Sequence, residues 1–183
     1  MLKASGPHKY TYRFLICPEN IGSAAFLHYS KKKVKNIIAG FVINCVGYGK
    51  EFTYKKSRRG NSISDLAAEN VLKNSKIPHK IVDFVPEGSD ERQFCSPGFN
   101  LPIGLLMRKM FGEYKEYHTS LDDLDNVVTP TGLDGGYWSI RKAIEAIERN
   151  KKYCVTVLGE PQMGKRGLYP TLSTKKSGVQ VRL

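Results

Sequence analysis

The chain has 183 residues, 40% of them apolar, and a formal net charge of +12. That composition excludes wholesale disorder and predicts one folded domain with at most a small appendage. No run approaches the roughly 18 apolar residues of a membrane span, and the opening MLKASGPHKYTYRF lacks the apolar core and small-residue cleavage site of an export signal, so a cytoplasmic protein without a membrane partner is expected.

In chain order, YTYRFLICPE (10–19) alternates, then runs apolar, and predicts a strand ending at Pro18. NIGSAAFLHYSKKK (20–33) predicts a short helix after a Gly22-Ser23 turn, stopped by the lysine run. NIIAGFVINCVGYG (36–49) is continuously apolar and predicts a strand buried on both faces. EFTYKKSRR predicts a further, more exposed strand. NSISDLAAENVLKNS (61–75) predicts a helix: Ser62 and Asp65 have capping-box spacing, with Ile63, Leu66, Ala67 and Val71 as the apolar stripe. HKIVDFVPEGSDE predicts a strand and a loop, and FNLPIGLLMRKM an apolar strand entered through Pro102. YWSIRKAIEAIERN (137–150) predicts a helix with Ile140, Ala143, Ile144 and Ile147 on one face. Strands alternating with helices predict an α/β fold around a central sheet, whose ligands collect at the carboxyl ends of strands. Glu19, Cys45, Asp90 and His118 each fall in or just after a predicted strand and are candidates for one shared rim.

Charge is unevenly spread. Residues 1–80 carry 15 basic and 4 acidic side chains, residues 81–135 carry 4 and 10, and residues 136–183 carry 10 and 3. An acidic middle attracts cations, and basic flanks either solubilise or bind polyanions such as nucleic acid. Within that middle, EYHTSLDDLDNV (116–127) sets one histidine before three aspartates. Imidazole with carboxylate suits zinc, and Asp122 or Asp125 could orient His118 and raise its basicity; the other reading is an ordinary polar turn. Cys17, Cys45, Cys95 and Cys154 contain no C-x-x-C pair and predict reduced thiols. GEPQMGKRG (159–167) imitates a phosphate loop, but Arg166 stands where Ser or Thr would bind magnesium, and Gly167 and Pro170 obstruct the helix such a loop needs.

Taken together, YRFLICPENIGS, KKSRRGNSISDLAA, GSDERQFCSPGFNLPIG, EYHTSLDDLD and GEPQMGKRGLYPT, in this order over nearly the whole chain, resemble the zinc-dependent aminopeptidase superfamily that includes leucyl aminopeptidases and glutaminyl cyclases. The nearer resemblance is to an aminopeptidase-like branch without assigned function, associated with polysaccharide biosynthesis. The resemblance implies a phosphorylase/hydrolase-like three-layer α/β/α sandwich with a mixed sheet, incomplete at its N-terminus. Residues 1–150 would be the C-terminal part of the catalytic domain, and residues 151–183 the start of a winged-helix-like appendage. It implies one or two zinc ions assisting hydrolysis of a peptide or amide bond near a free amino terminus. Glu19 matches a zinc ligand or, shifted by one residue, the general base; His118 matches the late histidine ligand. Asp90 matches an aspartate that contacts the substrate amine, and Cys45 replaces a zinc-binding aspartate. No residue before YTYRF matches the early ligands, so a complementary N-terminal segment or a second copy is the expected partner, along an exposed sheet edge. The alternative is a binding module without catalysis, whose basic flanks hold nucleic acid or an acidic partner.

Overall fold

The computed structural model describes residues 6–49, 51–160 and 162–167. Contacts divide the chain into two units, Met1–Asn150 and Lys151–Leu183. The first holds helix α1 (Ile21–Tyr29), strands β1 (Gly40–Ile43) and β2 (Phe52–Lys55), helix α2 (Ile63–Asn74), strand β3 (His79–Val82), the single-turn helix α3 (Glu91–Phe94), strand β4 (Ile103–Met107) and helix α4 (Pro130–Arg149).

The four strands form one mixed sheet in the order β1-β4-β2-β3. β1 runs parallel to β4, with Gly40 opposite Ile103, and β2 runs parallel to β3. β4 and β2 are antiparallel, with Tyr54 opposite Leu106. Side chains alternate across a strand, so residues an odd number apart lie on opposite faces. Ile103 packs with Leu27 and Phe94, from α1 and α3. Leu106 packs with Tyr54, Ala68 and Leu72, against α2 and Trp138 of α4. Helices therefore cover both faces, giving the expected α/β/α layering.

Several expectations change. Residues 11–18 form no strand. The backbone N–H groups of Lys9 and Tyr10 and the Tyr12 hydroxyl go to the Glu148 carboxylate near the end of α4, not to a neighbouring strand. Phe14 and Ile16 stay exposed, at 75% and 98%. β1 is an edge strand, partly buried rather than enclosed, and only four residues long. β2, expected to be exposed, is buried at every residue because it lies between β4 and β3. The charge of Lys55 misled that expectation; it is fully buried against Glu91, 2.8 Å away.

The Ser62–Asp65 capping box is present, but the helix it starts turns a different face inward. Ser64, Asp65, Ala67, Ala68 and Leu72 are buried, while Leu66 is exposed. Polar residues can face inward here because they are satisfied: Ser64 Oγ accepts from Gly40 N–H at 2.8 Å and donates to the Pro102 carbonyl at 2.7 Å. Gly104 is required beneath Tyr54, since a Cβ there would lie 2.0 Å from the phenol oxygen that donates to Asp65.

α4 starts seven residues before the predicted 137, at Pro130, because Thr129 caps it by accepting from Gly132 N–H and proline suits the first helical turn. Its glycines permit close approach. A Cβ on Gly132 would stand 2.0 Å from the Gly47 carbonyl oxygen. Gly132→Ala should therefore cost about 1–3 kcal/mol by overpacking, read as a lowered unfolding midpoint with displaced amide resonances over 44–49.

In the second unit, residues 151–160 are irregular and exposed, and Gly164–Arg166 makes one 3-10 turn. The rest of the expected winged-helix-like appendage lies outside the described residues. No described helix is long and apolar enough to cross a membrane.

Candidate functional site

Because β1 and β4 are parallel, their carboxyl ends open on the same edge of the sheet. Past β1, Cys45 takes a left-handed backbone (φ 47°) and its carbonyl accepts from Arg108 N–H at 3.0 Å. Asn44 braces this turn: its Oδ1 accepts from Cys45 N–H at 2.8 Å, and its Nδ2 donates to Ser89 Oγ at 3.2 Å. The second bond fastens the turn to the segment that carries Asp90. That segment comes back over the α1/α3 face of the sheet, where Lys55 Nζ also donates to the Glu87 carbonyl.

Asp90 is the best-positioned carboxylate of the rim. Its Oδ1 accepts from Asn20 N–H at 2.7 Å and from the hydroxyl of the fully buried Ser23 at 2.6 Å. Its Oδ2 has no hydrogen bond among the described residues. One oxygen is thus fixed, and the other is free to accept. Asn20, itself left-handed (φ 60°), uses its side-chain oxygen to accept from Arg92 Nε at 3.1 Å and Gln93 Nε2 at 3.4 Å. Asp90 is the residue before α3, but its side chain crosses to α1 instead of capping α3.

Beside it lies a second cluster. The Tyr114 hydroxyl stands 3.5 Å from Cys45 Sγ and 3.1 Å from Asp122 Oδ2. It has one proton, and the carboxylate is the stronger acceptor. Burial pushes the Cys45 thiol up from its ordinary pKa, only partly opposed by Tyr114, and the negative charges of Asp122 and Glu19 push it further. Cys45 is therefore a neutral thiol at pH 7. Burial, with Cys45 and Asp122, also raises the Tyr114 phenol. Tyr48 stacks on Tyr114, with ring centroids 4.7 Å apart. Cys45, Tyr48, Tyr114, Asp122, Val127 and Leu133 are among the residues that line a pocket of about 280 Å³.

The structure brings Glu19 and Asp122 into electrostatic reach of Cys45, and all three into reach of Tyr117. Glu19 does not end a buried strand; it is exposed, one residue before α1's cap Asn20. His118 is exposed, left-handed (φ 59°) and stacked on Tyr117 at 4.0 Å. Asp125 lies in the next turn, where its backbone N–H donates to Asp123 Oδ1 at 3.0 Å, and its carboxylate has no hydrogen bond among the described residues. Among the described residues no three of His, Cys, Asp and Glu are placed to hold a metal ion. Zinc sites use three or four protein ligands, so these residues do not fit zinc by themselves. Sequence reasoning missed Asn20, Ser23 and Tyr114. Asn20 and Ser23 stand in ENIGS, where the run of polar and small residues signals only a turn, and Tyr114 is one of several aromatics in its loop.

A family described as a domain of unknown function (DUF4910) matches residues 1–150, and a winged helix-turn-helix family matches residues 151–183. A protein of Clostridium acetobutylicum, provisionally named a polysaccharide biosynthesis protein with aminopeptidase-like domain, is 44% identical over 162 residues. The match covers 88% of this chain but 37% of that protein. The crystal structure of a provisionally named peptidase from the same organism aligns at 41% identity with a TM-score of 0.83, over 91% of this chain and 39% of that one. A zinc aminopeptidase from Bacillus subtilis aligns with a TM-score of 0.55 at 15% identity, over 72% of this chain and 34% of that one. The LapA aminopeptidase of Legionella pneumophila aligns with a TM-score of 0.56 at 13% identity, over 72% and 36% respectively. At such identities the last two show a shared fold.

Proposed function

Because the chain belongs to the family of the domain of unknown function DUF4910 and has the fold of the aminopeptidases, we propose that it is an aminopeptidase-like module binding the free amino terminus of a peptide or amide substrate. The observation that carries this reading is Asp90. Two donors orient its carboxylate through Oδ1, leaving Oδ2 to accept from a substrate ammonium. Ser23 and Asn20 act by positioning Asp90. Glu19, exposed beside it, is the carboxylate available to take a proton from an attacking water. The ligand set for zinc-assisted hydrolysis is incomplete among the described residues. On this reading a complementary segment or a second copy supplies the remaining ligands. The edge of β1, unpaired among the described residues, and the exposed Phe14 and Ile16 support such docking.

The test is binding of a tripeptide with a free amine against its N-acetylated form, by calorimetry. The free amine should bind about tenfold or more tightly, and Asp90→Asn should abolish the difference. Equal binding of both peptides by the parent protein would overturn the amine site. Zinc analysis of the same samples reports independently whether Glu19→Ala or His118→Ala lowers metal content.

A second reading has its own support. The winged helix-turn-helix match and the 10 basic against 3 acidic residues of 136–183 suit a phosphate backbone. DNA retention that falls steeply between low and moderate salt would favour it.

A further inference from the structure

Arg92 and Gln93, which both donate to Asn20, also line a larger cleft, of about 670 Å³, that the amine site does not use. Phe84, Pro86 and Pro97 supply apolar wall, and Arg58, Arg92 and Gln93 supply the polar groups. No carboxylate lines it among the described residues. Arg58 and Arg92 take part in none of the ion pairs between described residues, so their charge is uncommitted. Two features make this a built wall. The fully buried Cys95, one of the lining residues, is fixed by donating its thiol to the Ile103 carbonyl at 3.1 Å. Arg92 Nε is held by Asn20, whose own N–H binds Asp90. The cleft and the amine site therefore share Asn20 as a partition. Crossing it, the charge changes from a free carboxylate oxygen to two guanidinium groups.

We propose that this cleft receives the first side chain of the bound peptide and selects an acidic one, aspartate or glutamate. The inference rests on Asp90 as the amine site. A peptide beginning with an acidic residue carries a positive amine and a negative side chain a few bonds apart, and the site presents the opposite charges in the same order. The aliphatic part of the side chain would lie on Phe84 and the prolines, with its carboxylate on the planar forks of the arginines. A phosphate or nucleotide fits less well, because it would bring negative charge toward Asp90 and Glu19 without an amine to match them.

Calorimetric titration with Glu-Ala-Ala, Gln-Ala-Ala and acetyl-Glu-Ala-Ala tests this. Glu-Ala-Ala should bind about tenfold more tightly than Gln-Ala-Ala. Arg58→Gln should remove that preference while leaving Gln-Ala-Ala unchanged; Arg58 is exposed, so folding is preserved. Arg92→Gln should act in the same direction. Equal affinity for the Glu and Gln peptides, with both weakened by acetylation, would overturn the acidic preference and leave the amine site standing. An acetylated peptide as tight as Glu-Ala-Ala would overturn both, since the arginines would then be reading an anion alone. Inorganic phosphate competing as well as Glu-Ala-Ala would likewise sink the proposal.

Discussion

Replacing Glu91 by alanine is expected to cost about 3–5 kcal/mol, a large part of the stability of an ordinary domain. Glu91 and Lys55 are both fully buried, with Lys55 Nζ 2.8 Å from Glu91 Oε1. The ammonium also lies 5.6 Å from the Phe84 ring and 6.0 Å from that of Phe111, with the Glu87 carbonyl as its other acceptor. Removing the carboxylate leaves a positive charge in an apolar place with one neutral acceptor. Much of the cost is that stranded charge, not the attraction lost. The double change Lys55→Met with Glu91→Leu should therefore recover most of it. Denaturant unfolding of the parent, both single variants and the double variant measures the coupling. A single-variant loss below about 1 kcal/mol would show that water reaches the pair. Function should follow stability here, because Glu91 pins α3 to β2 and Asp90 is its neighbour in the chain. Amine binding should fall in Glu91→Ala and return in the double variant.

Asp65→Ala should be of similar size, about 3 kcal/mol or more. Its carboxylate accepts from the Tyr54 hydroxyl, from Ser57 N–H and Oγ, and from Ser62 N–H and Oγ, all within 2.9 Å. Alanine would leave these donors buried without an acceptor, loosening the start of α2 and the phenol lying over Gly104. Asparagine keeps the shape but turns an N–H₂ toward donors, so it should recover little. Burial alone would raise the Asp65 pKa; the donors from Ser57 and Ser62 outweigh it and hold the group below its ordinary value. A depressed folded pKa contributes stability that is present above the unfolded value near 3.9 and is lost as pH falls through the folded one. The parent should therefore lose stability below about pH 4, and Asp65→Asn should show a shallower acid limb.

The sequence made some elements plain and hid others for identifiable reasons. Ser62 and Asp65 marked the start of α2 because a capping box is local, needing only residues three apart. The stripe on the same helix was misread because Ser64 and Asp65 face inward, and their partners, Gly40, Pro102 and Tyr54, are distant in the chain. β2 was misjudged for the same reason, its lysine being neutralised by a residue 36 positions away. Residues 10–19 have the pattern of a strand, but pairing needs a neighbour, and Glu148 takes the first donors instead. At the rim, Asp90, Cys45 and Glu19 were legible as residue types placed around sheet ends. What makes Asp90 useful, one oxygen fixed and one free, depends on Asn20 and Ser23 arriving from α1. His118 was legible through family resemblance, and the structure sets it on Tyr117 at the margin of the same patch.

The strand order β1-β4-β2-β3 also governs when the rim can exist. β2 and β3 are joined by α2 and can pair as soon as that crossover is made. β1 has no partner until β4 emerges, since Gly40 registers on Ile103, and closing so long a loop is entropically slow. During synthesis, the turn carrying Cys45 therefore waits at the end of a lone strand for the Arg108 N–H that its carbonyl accepts, and the rim around the proposed amine site is among the last parts to assemble. A chain stalled before β4 would hold the parallel β2-α2-β3 crossover without the sheet centre that carries the rim, so affinity for a free amine would report on completion of the fold more sharply than helix content does.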